Sequence, residues 1–254
     1  MDKLFDFTGR RALVTGAGQG IGRSIAEALA ERGAEVAIHY RSSQTAAEKI
    51  VASIKQAGGK AVALHADLSA PGGVGGLCDA VAAHWDSLDI LVNNAGGVTH
   101  RARFPDSDEA YCRELFDLNL NSCIELSRRV LPLLQRSTDP AIINMTSIAA
   151  YNGGQGGVSI YAAAKAGIIG LTRSLAHELG PEIRVNAIAP GVVLTDFHRR
   201  HSTAEDLEKI AARTALHRNG EADEIVGTAL LLAGPAGSFI TGEVIHVNGG
   251  LWTA

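Results

Sequence analysis

Short apolar runs alternate along the chain with longer stretches in which apolar residues recur every three or four positions. Arg11 to Thr15 predicts a buried strand and Gly22 to Arg32 a helix; Glu35 to His39 is the next strand and Thr45 to Gln56 the next helix. Ala61 to His65 and Leu88 to Val92 continue as strands, with a helix over Val74 to Trp85 between them. That helix has a weak entry, because Gly72, Gly73, Gly75 and Gly76 each cost up to ~1 kcal/mol of helix propensity relative to Ala. Helices then run over Asp108 to Leu118 and Leu120 to Gln135, and a strand over Ala141 to Met145. A long helix over Ser159 to Leu179, a strand over Ile183 to Ala187, a helix over Glu221 to Ala233 and a strand over Glu243 to Val247 complete the series. Strands that alternate with helices pair in parallel through right-handed crossovers. The pattern therefore predicts an α/β fold: one doubly wound domain over residues 1–254, a seven-stranded parallel sheet with helices on both faces. One excursion, at about residues 194–218, stands outside this rhythm. There, Thr203-Ala204-Glu205-Asp206 reads as a helix start, and Leu207, Ile210 and Ala211 share a face, as a substrate lid would.

Many of the 29 glycines punctuate this pattern, and the densest group lies between the first strand and first helix, in Thr15-Gly16-Ala17-Gly18-Gln19-Gly20-Ile21-Gly22. A helix N-terminus offers unpaired N–H groups and partial positive charge, which a pyrophosphate needs. A Gly-rich turn alone is usually just a turn; placed after the first strand of a βαβ unit, it predicts a dinucleotide site. At the end of the second strand, His39-Tyr40-Arg41-Ser42-Ser43 lacks the Asp or Glu that would accept from an adenosine ribose 2′-OH. Tyr40 stands where that acid would be, and Arg41 with the hydroxyls suits a 2′-phosphate. The expectation is NADP(H), with NAD(H) as the alternative; a solvated surface arginine is the plainer reading of Arg41.

Composition narrows the remaining classes. Apolar residues make up 46% and charged residues 20%, with a net charge of −4, ordinary values for a soluble globular chain. Mild acidity without a dense Lys/Arg face argues against nucleic acid. No apolar run approaches a membrane span of ~20 residues, and the N-terminus lacks the apolar core of a signal peptide, so the expected location is the cytoplasm. Cys78, Cys112 and Cys123 contain no CxxC, which predicts reduced thiols and no metal site.

Tyr161 and Lys165 are four residues apart on the long helix and so share a face. An ammonium near a phenol favours phenolate, so Lys165 is expected to bring Tyr161 into range as a general acid/base. Alone, such a pair is usually a surface contact. Here Asn93-Asn94-Ala95-Gly96, Ser147 and Pro190-Gly191 follow three further strands, at the carboxyl ends where open α/β sheets bind ligands.

On TGAGQGIG, Asp67, NNAG, Asn119, Ser147, the YxxxK of Tyr161 and Lys165, Pro190-Gly191 and the ending from Ile240 to Gly250, the chain resembles the short-chain dehydrogenase/reductase family from Gly9 to Gly250. The resemblance implies a Rossmann-type fold and hydride transfer between a nicotinamide cofactor and a carbonyl or secondary alcohol. It implies Tyr161 as proton donor, Lys165 as its tuning partner and a contact to the nicotinamide ribose, and Ser147 as orienter of the substrate oxygen. Asn119 would interrupt its helix and hold a relay water. Cofactor contacts would come from Gly16, Gln19, Gly20, Ile21, Arg41, Ser42, Asp67, Leu68, Asn94, Gly96, Val193 and Thr195, besides Tyr161 and Lys165. A homotetramer is also implied. The sequence departs from the family pattern twice. Ser147 is 14 residues before Tyr161, where 13 is common, and Gln19 stands where many NADP members carry Arg or Lys.

The substrate is less legible. The loops expected to wall the pocket carry His100, Arg101 and Arg103, then His198, Arg199, Arg200 and His201, which suits either a solvated face or an anionic substrate. Arg128, Arg129 and Arg136 are candidates for meeting an acidic carrier protein. The general pattern resembles 3-oxoacyl-carrier-protein reductase-like members; sugar and polyol dehydrogenases of the family look much the same. A cofactor-sensing protein without turnover and a purely structural subunit are the readings from other classes, and neither needs both Tyr161 and Lys165.

Overall fold

In the computed structural model, which describes residues 2–196 and 202–253, seven strands form one parallel sheet. They are β1 (Arg11–Val14), β2 (Glu35–Tyr40), β3 (Lys60–His65), β4 (Ile90–Asn93), β5 (Ala141–Met145), β6 (Arg184–Pro190) and β7 (Val244–Val247), in spatial order β3-β2-β1-β4-β5-β6-β7. The chain builds outward from β1 to β3, then returns to lay β4 on the other side of β1. A crevice opens at that reversal, beyond the carboxyl ends of β1 and β4.

Period-2 alternation sorts each central strand between two cores. Ala12 and Val14 pack with Ile25 and Leu29 of α1 (Gly20–Glu31), Ile50 of α2 (Gln44–Gln56) and Leu230. Leu13 packs on the opposite face with Leu77 and Val81 of α3 (Gly73–His84) and with Leu126, Val130 and Leu134. The glycine-rich entry to α3 forms regardless, because Val74, Leu77, Cys78 and Val81 go into the core. Tertiary burial outweighs the propensity deficit.

The helices expected over residues 108–135 form one rod with a defect. α4 (Glu109–Phe116), started by Asp108 accepting from the Tyr111 N–H, runs into a π turn over Asp117–Asn121, which continues as α5 (Ser122–Leu134). A short α6 (Ala149–Asn152) and the long α7 (Ser159–Glu178) follow β5. α8 (Ala204–Arg213) starts as expected at Thr203, whose side chain and that of Asp206 cap each other's backbone N–H groups. The helix expected over Glu221 to Ala233 opens with a tighter 3-10 turn, Ala222–Ile225, before α9 (Val226–Ala233). β6 extends through Pro190, three residues past its expected end, because β7 pairs with it through Pro190↔Val247.

Candidate active site

The first helix begins at Gly20, two residues before its expected start, and Gln19 at its N-cap makes no side-chain capping bond. Gly16 (φ +62°) and Gly20 (φ +55°) take the left-handed conformation that the turn requires. A Cβ on Gly20 would lie 3.1 Å from the Thr195 methyl, and one on Gly16 would lie 3.0 Å from the Ala95 Cα. The Thr15 hydroxyl accepts from the Asn94 and Ala95 N–H groups, both at 2.9 Å, and the Asn94 amide donates to the Thr15 carbonyl at 2.8 Å. Asn94 thus fastens the loop to the end of β4. This glycine cradle at a helix N-terminus fits a pyrophosphate.

The loop opens into a cleft of about 620 Å³. Its lining includes Gly16, Gln19, Gly20, Ile21, Asn94, Gly96, Ser147, Tyr161, Lys165, Val193 and Thr195, which brings together most of the residues predicted from sequence. Val193 contributes mainly backbone, since its side chain is 4% exposed and lies in the core. The adenosine-side candidates Arg41, Ser42, Asp67 and Leu68 lie outside that lining, beyond β2 and β3. Arg41 and Ser42 are exposed. Asp67 is held below the ordinary carboxylate range, first by the Ser69 hydroxyl and to a lesser degree by the Arg41 charge. Leu68 buries its side chain in the core, which leaves its backbone to face a ligand. Tyr40 also differs from expectation. It is 9% exposed and packs on the His65 ring at 5.4 Å, because the last position of β2 falls on the inward side.

Lys165 is buried, and its ammonium donates to the Met145 carbonyl at 2.8 Å. Its own carbonyl accepts from the Thr146 hydroxyl at 2.7 Å, so the end of β5 holds the residue at both its backbone and its tip. Nζ stands 5.8 Å from the Tyr161 ring centroid. Ser147 is the hydrogen-bonding neighbour of the Tyr161 phenol and lowers its pKa, but burial is the larger effect and leaves it raised. Sequence reasoning expected Lys165 to pull the phenol down. Burial prevails because the ammonium is directed at Met145. Burial also lowers Lys165 itself, to about 8.

Asn119 stands in the π turn, 2% exposed. Its amide oxygen accepts from the Gly97 N–H at 2.8 Å, and its NH₂ donates to the Gly97 and Leu115 carbonyls, both at 2.9 Å. Its side chain therefore braces the segment after β4. A Cβ on Gly96 would lie 2.7 Å from Asn119 Oδ1 and 3.1 Å from Lys165 Nζ, which places all three at one point.

Sequence reasoning missed several supporting residues. Asn93, beside the predicted Asn94, turns inward and donates to Ser127 Oγ at 3.0 Å and Asn144 Oδ1 at 2.9 Å. Asn144 donates on to Thr172 Oγ1 at 3.0 Å. This buried chain links β4, β5, α5 and α7 behind Lys165. Their visible signal was polarity within apolar runs. Cys123 lies on the same chain, its thiol pushed up to about 12 by burial, and Cys78 is likewise buried.

Around the mouth, Arg101 donates to the Gln155 and Gly156 carbonyls at 2.8 and 3.1 Å, and α8 contributes Asp206, Lys209, Ile210 and Arg213. His198, Arg199, Arg200 and His201 lie outside the described residues. Arg129 is paired with Glu125 at 2.7 Å, and Arg136 donates to the Asp86 carbonyl at 2.9 Å.

Comparison with known proteins agrees with this geometry. Residues 16–252 match a family model described as enoyl-(acyl carrier protein) reductase. The chain is 39% identical over 245 residues to the 3-oxoacyl-[acyl-carrier-protein] reductase FabG of Staphylococcus epidermidis, covering 96% of this chain and 99% of that one. It superimposes on a 3-oxoacyl (acyl-carrier-protein) reductase of Agrobacterium tumefaciens C58, solved with NADP bound, with a TM-score of 0.89 and 33% identity over 98% of this chain and 97% of the other. A 7α-hydroxysteroid dehydrogenase complexed with NADH and 7-oxo glycochenodeoxycholic acid gives 0.92 and 35% identity, over 98% and 97% of the two chains.

Proposed function

The chain belongs to the short-chain dehydrogenase/reductase family of nicotinamide-dependent oxidoreductases, and on that premise we propose that it is an NADP(H)-preferring ketoreductase acting on 3-oxoacyl thioester-like substrates. The observation that carries this is the meeting of Ser147, Tyr161 and Lys165 in the cleft that begins at the phosphate loop. When bound, the cofactor supplies a hydride to the carbonyl carbon from its nicotinamide C4. Gly16 to Ile21, Asn94, Gly96, Val193 and Thr195 hold its phosphates and nicotinamide side. Arg41, Ser42, Asp67 and Leu68 serve the adenosine side.

Tyr161 donates its phenolic proton to the substrate oxygen. A phenol raised by burial holds its proton at neutral pH, which suits donation in the reductive direction. Ser147 hydrogen-bonds the same substrate oxygen and orients it. Lys165 places positive charge beneath that exchange and binds the nicotinamide ribose. Asn119 keeps the π turn and the Gly96-Gly97 segment in place.

The relatives named for acyl-carrier-protein substrates support the thioester reading. Sugar or polyol oxidation is the second reading, favoured by the polar mouth of Arg101, Asp196, Lys209 and Arg213. The intrachain partners of Arg129 and Arg136 leave Arg128 the better candidate for a carrier-protein contact. We read residues 1–254 as one domain that acts as a homotetramer in the cytoplasm, with residues 194–218 as a lid; α8 borders the cleft through four residues, as a lid would. Among the described residues, no helix is long and apolar enough to cross a membrane. The test is a panel of 3-oxoacyl thioesters, keto sugars and polyols with each cofactor. Turnover of thioesters with NADPH is expected. Turnover of polyols alone would move the assignment to the second reading, and binding without any turnover would favour a sensor.

A further inference from the structure

His39 is a titratable side chain inside an apolar strand, 2% exposed, to which the reaction assigns no role. The Gly16 N–H donates to its Nδ1 at 3.1 Å, and its Nε2 lies 3.1 Å from the Ala66 carbonyl. These two contacts fix the tautomer. Nδ1 must carry a lone pair to accept from Gly16, and Nε2 must carry the proton to reach the carbonyl. The His39 carbonyl also accepts from the Ala17 N–H at 2.9 Å, so one residue holds two successive positions of the phosphate loop. Only the Gly16 contact depends on the side chain.

We propose that His39 is a positioning residue for the cofactor: its neutral imidazole, bridging Gly16 and Ala66, sets the phosphate loop in its binding conformation. This rests on the nicotinamide dinucleotide reading given above. Gly16 has a left-handed backbone and no side chain, so few other interactions fix its peptide plane. Its carbonyl receives the Asn94 amide at 3.2 Å and its N–H receives His39, which orients both faces of the glycine. Protonating Nδ1 would set two donors against each other and release the Gly16 side.

The groups facing the ring determine when this happens. His65 on β3 opposes a charge on His39, Asp67 after β3 favours one, and the Ala66 carbonyl favours the protonated ring. Burial outweighs them and keeps His39 neutral down to about pH 4. The tie is therefore intact throughout the neutral range.

The experiment compares wild type with His39→Asn and His39→Leu, reading the NADPH dissociation constant by fluorescence and kcat at saturating NADPH. An Asn Oδ1 occupies the place of Nδ1 and can accept from Gly16; Leu cannot. His39→Leu is expected to weaken NADPH roughly tenfold, the worth of about one buried hydrogen bond, with kcat at saturation within about twofold. His39→Asn is expected to restore most of the affinity. In acid, wild-type affinity should fall faster than that of His39→Asn from about pH 5 to 4, since the phosphates and Asp67 titrate alike in both proteins. If His39→Leu does not fold, this acid comparison decides alone. NADPH binding by His39→Leu equal to wild type, or identical acid profiles for wild type and His39→Asn, would overturn the proposal. Wild type that binds no nicotinamide dinucleotide at all would instead overturn the cofactor reading beneath it.

Discussion

The ammonium of Lys165 is bonded to the carbonyl of Met145 at 2.8 Å, so α7 is tied to the last residue of β5. The contact fixes Lys165 without using the Tyr161 phenol. It separates the pair, with the Tyr161 phenol on the cleft wall and the Lys165 charge buried behind it.

Tyr161→Phe removes the proposed proton donor and little else. We expect kcat to fall at least ~10²-fold, with NADPH affinity within about twofold of wild type. Steady-state kinetics with fluorescence titration check this, and near-normal turnover would contradict the assignment.

Lys165, lowered by burial from an ordinary 10.5 to about 8, makes stability depend on alkaline pH. Between pH 8 and 10.5 the unfolded chain binds the proton and the native chain does not, so stability rises with pH across that window. Below pH 8 both states are protonated and the cost of burying the charge is felt in full. Urea midpoints of wild type and Lys165→Met should converge as pH rises from 8 to 10, at a rate of up to ~1 kcal/mol per pH unit. Parallel profiles would show that Lys165 is not desolvated. Lys165→Met should also lose turnover and cofactor affinity together.

Asn144 is the middle of the buried chain from Asn93 to Thr172. Asn144→Ala leaves both neighbours short of a partner, and each such buried group costs ~1–3 kcal/mol. A loss of about 3 kcal/mol in chemical denaturation is expected. A double-mutant cycle with Thr172→Val should give a coupling energy above ~0.5 kcal/mol; additivity would mean that the link carries no energy.

Arg41 is exposed just beyond the end of β2, and the proposed function assigns it the 2′-phosphate. Arg41→Ala is expected to weaken NADPH roughly tenfold and leave NADH nearly unchanged, in line with the loss of one charge-assisted bond. An unchanged ratio of kcat/KM for the two cofactors would remove the specificity argument. Tyr40→Asp is a poor companion test, since it would put a carboxylate into the core rather than beside the ribose.

The lid reading depends on α8 forming and yielding. Thr203→Ala removes half of its reciprocal cap, a loss of ~1 kcal/mol confined to that helix. Hydrogen exchange over residues 204–213 should quicken in the variant and slow in wild type when cofactor and substrate are added. No change on ligand addition would argue against closure.

The sheet was legible because its central strands are buried on both faces and read as unbroken apolar runs. The phosphate loop, Ser147, Tyr161 and Lys165 were legible because each falls at a strand end or on one helix face. What stayed hidden depended on side-chain direction at the margins of strands. Asn93 and Asn94 are adjacent and chemically identical, yet one braces the core and the other the loop. Tyr40 and Leu68 turn inward, which no local pattern distinguishes from turning toward a ligand. The tie between His39 and Gly16 joins residues 23 positions apart and leaves no periodic trace.

The π turn at Asp117–Asn121 sets the phase of the rod that contains it. Tyr111 and Leu115 before it, and Leu126, Val130 and Leu134 after it, all face inward although the wide turn separates them. The wide turn takes up one extra residue, so deleting one there would restore a regular helix and leave the two flanks near their present phase. Ser127 would keep its place beside Asn93, and the change would fall on the turn itself, on the brace that Asn119 makes with Gly97. The extra residue thus serves the site and not the core: a shorter, regular rod would pack as well and hold Gly97 less firmly.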